Sequence, residues 1–275
     1  MDNEFSIIKY PRTPHVEGSR LQAGDEDLSQ IPFDEIAGKH LVIEEKIDGA
    51  NTALSFDADG NLLLQSRGHY LRGGYREKHY NLFKQWAGIH RDAFWDVLGS
   101  RYIMYGEWMY AKHTIFYDAL PHYFMEFDIL DRETGRFLDT HSRRALTKNL
   151  PIASVPVLAE GEFQSKEQVL RYLGDSCYIT ADHLAHLRLG AQREGQDEER
   201  ICRETDASRT MEGLYIKVEE NGEVVQRVKF VRASFLQTVE LSQSHWLERP
   251  IIPNQLARPT EEIFLPQLPP IKENH

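Results

Sequence analysis

The feature that most constrains this chain is the apolar run Leu41–Ile47, which carries its charges at one end, in Glu44-Glu45-Lys46-Ile47-Asp48-Gly49-Ala50-Asn51. A run of that length, closed by a glycine, reads as a buried strand. A lysine amine at such a place becomes a nucleophile when desolvation or nearby cations disfavour its charged form. The plainer alternative is a lysine that snorkels from a strand end. If the segment is extended, Lys46 and Asp48 lie two positions apart on one face and address the same site.

The pattern around this strand is one of hairpins and helices. Thr52–Phe56 and Leu62–Gln65 flank the turn signal Asp57-Ala58-Asp59-Gly60-Asn61, and Leu214–Glu219 and Val224–Val231 flank Glu220-Asn221-Gly222. Tyr102–Tyr110 and His122–Leu130 are strand-like. Arg76–Trp95 is long enough for one or two helices, with Trp86 and Ile89 at helical spacing. Asp139-Thr140-His141-Ser142 precedes a short helix over Arg143–Asn149. Residues 1–39 are rich in loop residues, and residues 165–207 read as a helical insertion or lid that becomes highly charged near Glu194–Arg200. His183 and His186 share a helical face, but no third ligand accompanies them, so they read as a surface pair. Ala233–Leu247 looks helical, and residues 248–275 form a tail too rich in proline for a globular unit. The expected division is one domain over residues 1–247 followed by that tail.

The formal net charge of −11 argues against a protein that coats itself in nucleic acid, because phosphate binding needs Lys and Arg. One local stretch runs the other way: Arg67, Arg72, Arg76, Lys78, Lys84 and Arg91 alternate with Tyr70, Tyr75, Tyr80 and Trp86. It reads either as a solvated helix face or as a basic, aromatic nucleic-acid platform. The 2 cysteines, Cys177 and Cys202, lack metal-ligand spacing and suggest reduced thiols in a cytoplasmic protein. The acidic start Met1-Asp2-Asn3-Glu4 does not resemble a signal peptide, and no run approaches the ~20 apolar residues of a membrane span.

Further segments follow Lys46 in order: Ser66-Arg67-Gly68, Tyr105-Gly106-Glu107-Trp108, Met125-Glu126-Phe127-Asp128, Glu212-Gly213-Leu214-Tyr215-Ile216-Lys217 and Arg227-Val228-Lys229. This series, over roughly residues 40–235, resembles the covalent nucleotidyltransferases, that is, polynucleotide ligases and mRNA capping enzymes. Within them it is most similar to ATP-dependent RNA ligases of the phage RNA ligase 2 type. The resemblance implies an α+β nucleotidyltransferase domain of antiparallel sheets flanked by helices, with the nucleotide in the cleft between them. No OB domain is expected, since too few residues follow Lys229 for one.

The resemblance also assigns roles. Lys46 would carry AMP from ATP, and Asp48 would support the transfer. Glu45 would help define the adenine pocket, Asn51 would contact the sugar, and Phe127 would stack on the purine. Arg67 would meet the nucleotide and the 5′-phosphate end, and Glu107 the ribose. Glu212 would bind the metal–phosphate region, directly or through water, and Lys217 follows it on the same strand. Arg227 and Lys229 would address the triphosphate and help keep Lys46 unprotonated. The family has lysine at both of these positions, so Arg227 is a departure. Each residue also has a plainer reading: a turn aspartate for Asp48, a turn cap for Asn51, a solvated strand end for Glu45, a salt bridge for Glu107, a core aromatic for Phe127. The implied cofactors are ATP and Mg2+ or Mn2+. The implied partners are RNA with 5′-phosphate and 3′-hydroxyl ends and the kinase or phosphatase enzymes that heal such ends. A minimal DNA ligase, a GTP-using capping-type enzyme and an inactive nucleic-acid-binding relative are the alternatives.

Overall fold

Two mixed β-sheets carry the chain. A computed structural model describes residues 7–21, 30–241 and 250–270. One sheet contains β1 (His15–Val16), β2 (Gln30–Ile31), β3 (His40–Lys46), β10 (Val157–Glu162), β11 (Gly213–Glu220) and β12 (Glu223–Val231), in the order β10-β3-β11-β12-β1-β2. The other contains β4 (Ala50–Phe56), β5 (Leu62–Ser66), β6 (Tyr102–Trp108), β7 (Phe124–Asp131) and β8 (Arg136–Phe137), in the order β5-β4-β6-β7-β8, with β9 (Ala153–Ser154) paired to β7. The long strands pair antiparallel. Both hairpins form where the turn residues place them. Asn221 and Gly222 have φ of 54° and 87°, the doubly positive geometry that favours Asn-Gly in a two-residue turn. At the other turn, Asp57 Oδ1 accepts N–H bonds from Asp59 and Asn61 at 3.0 and 2.8 Å.

The outer face of each sheet is covered by apolar packing. Phe83, Trp86, Phe94 and Leu98 of α1 (Asn81–Ile89) and α2 (Arg91–Leu98) pack on Leu54, Phe56, Met104 and Ile129 of the second sheet. Ile89 faces solvent instead and is 56% exposed, so the helical spacing pairs Trp86 with Phe83 and not with Ile89. Leu41, Ile43, Leu214, Ile216 and Val228 of the first sheet pack on Val16, Phe33, Ile36 and Val169.

The inner faces meet through charge and through a small cluster in which Tyr10 joins Tyr105 of the second sheet to Tyr215 of the first. Lys217 Nζ, from the first sheet, lies 3.1 Å from Asp128 Oδ1 of the second and 3.0 Å from Glu44 Oε2. The Arg143 guanidinium reaches Glu44 Oε1 and Glu126 Oε2, both at 2.6 Å. Arg143 comes from α3 (Thr140–Thr147), whose N-terminus is capped by Asp139 accepting from the Ser142 N–H at 2.7 Å.

The insertion holds α4 (Lys166–Leu170), α5 (His183–Arg193) and α6 (Glu198–Arg203). His183 is buried rather than on the surface, its ring nitrogen 3.0 Å from the Thr180 carbonyl, while His186 pairs with Asp118 at 2.7 Å. The helix expected over Ala233–Leu247 is α7 (Ala233–Leu241); residues 242–249 lie outside the described residues, as do Met1–Ser6. The proline-rich stretch is not a loose tail over 250–270. Asn254 is buried, donating to the Met109 carbonyl and accepting from the Tyr117 N–H, and Ile252 and Ile263 enter two separate apolar clusters. Prolines forbid helix but permit an extended strap whose remaining amides pair with neighbouring backbone. Among the described residues, no helix is long and apolar enough to cross a membrane.

The charged layer yields a prediction. Arg143→Ala leaves Glu44 and Glu126 buried without their shared cation, and breaking a buried pair costs roughly 3–5 kcal/mol. Urea titration should show that loss, and Arg143→Lys should recover only part of it, because one ammonium does not reproduce the fork. A midpoint unchanged in Arg143→Ala would show that the layer does not hold the sheets together.

Candidate active site

Where β3 ends, the two sheets part into a cleft of about 1090 Å³. Alternation along β3 sends Glu44 and Lys46 toward the second sheet and Leu41, Ile43 and Glu45 to the opposite face. The cleft is lined by Glu45, Lys46, Asp48, Asn51, Arg67, Glu107, Phe127, Glu212 and Lys229, residues that lie far apart in sequence. Lys217 and Arg227 are not among the lining residues. Both are held in the charged layer: Lys217 by Glu44 and Asp128, and Arg227 Nε by Asp128 Oδ2 at 3.0 Å, with its guanidinium 3.9 Å from the Phe137 ring centroid.

Lys46 Nζ donates to Glu212 Oε2 at 2.7 Å. Burial works against the ammonium, but Glu212, then Glu107 and Asp48, outweigh it, and the amine sits above its usual range. Arg227 and Lys229 therefore do not keep Lys46 unprotonated in the free protein, because carboxylates surround the amine more closely than cations do. Glu212 is itself raised, by burial more than Lys46 lowers it. Glu107, opposite Asn51 in the β4–β6 register, is pushed up to about 8 by burial, with Glu212 and Asp48 adding to the effect and Lys46 opposing it.

Asp48 lies just beyond the strand. Its Oδ2 accepts from the Thr114 and Ile115 N–H groups at 2.7 and 2.9 Å, and the His113 ring lies 3.7 Å from Oδ1. Burial would raise this carboxyl; His113 and the two amides overcome it and hold it below the usual range. The Glu45 carboxylate is engaged by Ser176 Oγ and the Cys177 N–H at 2.5 and 2.9 Å. Phe127 meets the Tyr10 ring edge-on, with centroids 5.0 Å apart.

Gly213 is required by close approach. A Cβ there would lie 1.9 Å from the Phe230 carbonyl oxygen, so no side chain fits beside Glu212. The cleft also recruits residues that spacing does not reveal: Tyr10 and Thr13 from the N-terminal loops, His113 and Thr114, and Phe235 and Leu236 of α7. The Tyr10 hydroxyl donates to Asp128 Oδ2 at 2.5 Å, and nothing in the local pattern around Tyr10 announces that distant partner.

The carboxylates fit a divalent cation. Glu107 and Glu212 are both driven toward their neutral forms by burial, a cost that a nearby dication relieves. Among the described residues no cluster of three or more His, Cys, Asp or Glu could cage an ion. Such a cation would complete its shell with water and phosphate oxygens, as Mg2+ ordinarily does.

The pH dependence of stability follows. An unfolded glutamate titrates near about 4.3. Glu107 titrates at about 8 in the fold, so the folded state holds an extra proton between these values. Its contribution is fully present below the unfolded value and is lost as pH rises through the folded one. Glu107→Gln should therefore gain melting temperature relative to the parent between about pH 5 and about pH 9. Thermal melts across that range check it, and a constant difference would contradict burial as the source.

Comparison with known proteins follows the same lines. An arginine-to-alanine variant of Naegleria gruberi RNA ligase, determined with ATP and Mn, superposes with a TM-score of 0.54 at 16% identity over 85% of this chain. A glutamate-to-alanine variant of the same ligase, also with ATP and Mn, gives 0.51 at 19% identity over 84%. These likenesses concern the fold, and this chain spans 58% of the length of each of those chains. No curated protein matches the chain. The RNA ligase family model matches residues 39–231, from the start of β3 to the end of β12, and the chain belongs to the RNA ligase family.

Proposed function

We propose that this protein is an ATP-dependent RNA ligase that joins 5′-phosphate and 3′-hydroxyl ends through a lysyl-AMP intermediate. The observation that carries the reading is the placement of Lys46 at the inner end of the cleft, hydrogen-bonded to Glu212, with Glu107 and Lys229 lining the same space. Lys46 Nζ forms a bond to the α-phosphorus of ATP, and pyrophosphate leaves. The ammonium first loses its proton, and Glu212, 2.7 Å away and raised toward accepting one, is the nearest acceptor. An oxygen of the RNA 5′-phosphate then attacks the adenylate phosphorus and frees the lysine. The 3′-hydroxyl finally attacks the RNA 5′-phosphorus, and AMP departs as the strand closes.

The other residues take supporting places. Lys229 offers a compact cation to the phosphates. Phe127 and Tyr10 give the purine an aromatic wall, and Asn51 and Glu107 face the sugar. Asp48, fixed by Thr114 and Ile115, keeps the turn after Lys46 in one geometry. Arg67, exposed at the cleft margin, meets the incoming 5′-phosphate. Arg227 and Lys217 act behind the cleft, where they neutralise Asp128 and Glu44. Glu107 and Glu212 would hold Mg2+ or Mn2+, largely through water, and the cation would offset phosphate charge.

Mass spectrometry after incubation with ATP and Mg2+ should find one AMP adduct, on the Lys46 peptide, and none in Lys46→Ala. Glu212→Ala and Lys229→Ala should each form it at least about tenfold more slowly, a barrier of ~1.4 kcal/mol. An adduct that persists in Lys46→Ala, or normal rates in both other variants, would reject this chemistry.

The basic stretch after β5 divides. Tyr80 and Trp86 are core residues, 5% and 0% exposed, and offer no stacking surface. Arg67, Arg72 and Lys78 are exposed along the loop that borders the cleft; the side chains of Tyr75 and Arg76 lie outside the described residues. A cation on a phosphate releases counterions, so removing one such cation should flatten the slope of log affinity against log salt by about 0.7–0.9. The Arg72→Ala, Arg76→Ala, Lys78→Ala triple variant should show weaker RNA binding and that flatter slope, with Lys46 adenylation retained. An unchanged salt slope would mark the stretch as an ordinary solvated face.

A further inference from the structure

The helical insertion grips the nucleophile strand from behind, at the residue before Lys46. Glu45 is 1% exposed, and its carboxylate is bonded to the insertion. Both of its carboxylate oxygens are taken by the segment that leads into α5, one by the Ser176 hydroxyl and one by the Cys177 N–H. The same segment is bonded on its other side to the chain that leads to Glu212. The Ser176 N–H donates to the Arg209 carbonyl at 2.8 Å, and the Met211 N–H donates to the Gly174 carbonyl at 3.0 Å. Residues 174–177 thus touch position 45 and positions 209–211, the immediate neighbours of Lys46 and Glu212.

A second hold comes from farther along the insertion. Asp48 accepts from the Thr114 and Ile115 amides, and the Thr114 carbonyl accepts the Asp206 N–H at 2.8 Å. Asp206 pairs with Arg232, next to the end of β12. The Asp48 N–H is itself fixed by the Tyr117 hydroxyl at 2.8 Å. An insertion anchored on both sides of the nucleophile is part of its mounting, in contrast to a lid that closes over it.

We propose that Ser176, acting through Glu45, is a positioning residue that sets the Lys46–Glu212 geometry, and that residues 174–177 belong to the lysine's mounting and not to a mobile lid. This rests on the reading of Lys46 as the adenylated nucleophile. Ser176 is not among the residues that line the cleft. Its hydroxyl fixes the Glu45 carboxylate, that carboxylate fixes the end of β3, and the end of β3 carries the amine.

Ser176→Ala removes one hydroxyl and leaves the backbone bonds to Arg209 and Met211 in place. At saturating ATP and Mg2+, the rate of Lys46 adenylation should fall about tenfold while KM for ATP stays within about threefold, the signature of disturbed geometry and not of weakened binding. Glu45→Ala should behave alike, and the double variant should be no slower than the slower single one, because both act through one bond. Glu45→Gln keeps an acceptor for the Cys177 N–H and a donor for Ser176, so its rate should fall between those of the parent and Glu45→Ala. If Ser176→Ala folds poorly, this graded pair carries the test.

A second measurement is independent of ATP. Acetic anhydride labelling of Lys46, read by mass spectrometry against the other lysines of the intact chain, should change severalfold in Ser176→Ala. If the parent forms no AMP adduct, the ligase reading fails while labelling still decides the positioning. Parent-like adenylation and labelling in Ser176→Ala would overturn the proposal. So would additive effects in the double variant, or a Glu45→Ala defect confined to KM or to the choice between ATP and GTP, which would mean that Glu45 reads the base directly.

Discussion

The structure depends on a layer of ion pairs where two β-sheets would ordinarily meet through apolar side chains. Lys217, Arg143 and Arg227 are interleaved there with Glu44, Glu126 and Asp128. Charge in such a place is costly to desolvate and is tolerated because each group finds a partner. Asp128 shows the balance: burial would raise its carboxyl, yet Lys217, Arg227 and the Tyr10 hydroxyl together hold it at about 2. The larger apolar clusters lie on the outer faces, under α1 and α2 on one side and around Val16, Phe33 and Val169 on the other, while a smaller one of Tyr10, Ala53, Ile103, Tyr105 and Leu130 stays between the sheets against Tyr215. Beside that small cluster the space between the sheets is charged, and it opens into a cleft where Lys46, Glu107, Glu212 and Lys229 lie next to Phe127, Phe235 and Leu236.

The cleft continues that layer with the balance of charge reversed. In the layer Glu44 and Asp128 each meet two cations and Glu126 meets Arg143, although burial still raises Glu126. At the cleft, Glu107 and Glu212 are only partly served by Lys46, and both are pushed toward their protonated forms. Such a site is less stable than the rest of the fold would allow, and it is prepared to receive positive charge. In the proposed reaction a nucleotide arriving with a divalent cation would supply that charge and would bring phosphates for Lys46 and Lys229. The same carboxylates favour the charged form of the Lys46 amine, so on the proposed reading its nucleophilicity would follow the arrival of substrate.

Much of this was legible from local pattern. The strand before Lys46, both hairpins, the capped helix at Asp139 and the paired helices after β5 follow from alternation, turn residues and caps, which act over a few positions. That Lys46, Glu107, Phe127, Glu212 and Lys229 line one cleft was implied by the family resemblance that the ordered motifs carry. What stayed hidden depends on partners far away in sequence. Arg227 reads as a phosphate ligand until Asp128 and Phe137 are seen to hold it. Tyr80 and Trp86 read as a platform until α1 is seen to turn Trp86 inward. The 250–270 strap reads as loose because prolines remove helix, yet Asn254 and Ile252 pair and pack against residues more than a hundred positions earlier.

Glu44, Glu45 and Lys46 show how one strand serves several ends through its period of two. Glu44 faces inward and is locked by Arg143 and Lys217 into the layer between the sheets. Glu45 faces outward and is locked by Ser176 and Cys177 to the insertion. Lys46 faces inward again, but one step past the layer, where the sheets have parted. Two consecutive residues thus fix the strand from opposite faces immediately before the reactive amine. A strand held on one face alone could still tilt about that contact; held on both, it presents the next side chain in a single direction. The cost is two buried carboxylates, and the arrangement works because each has strong donors within 3.1 Å. On the proposed reading of Lys46 as the nucleophile, its placement is built from the acidic residues that precede it, which taken alone would read as a liability in a buried run.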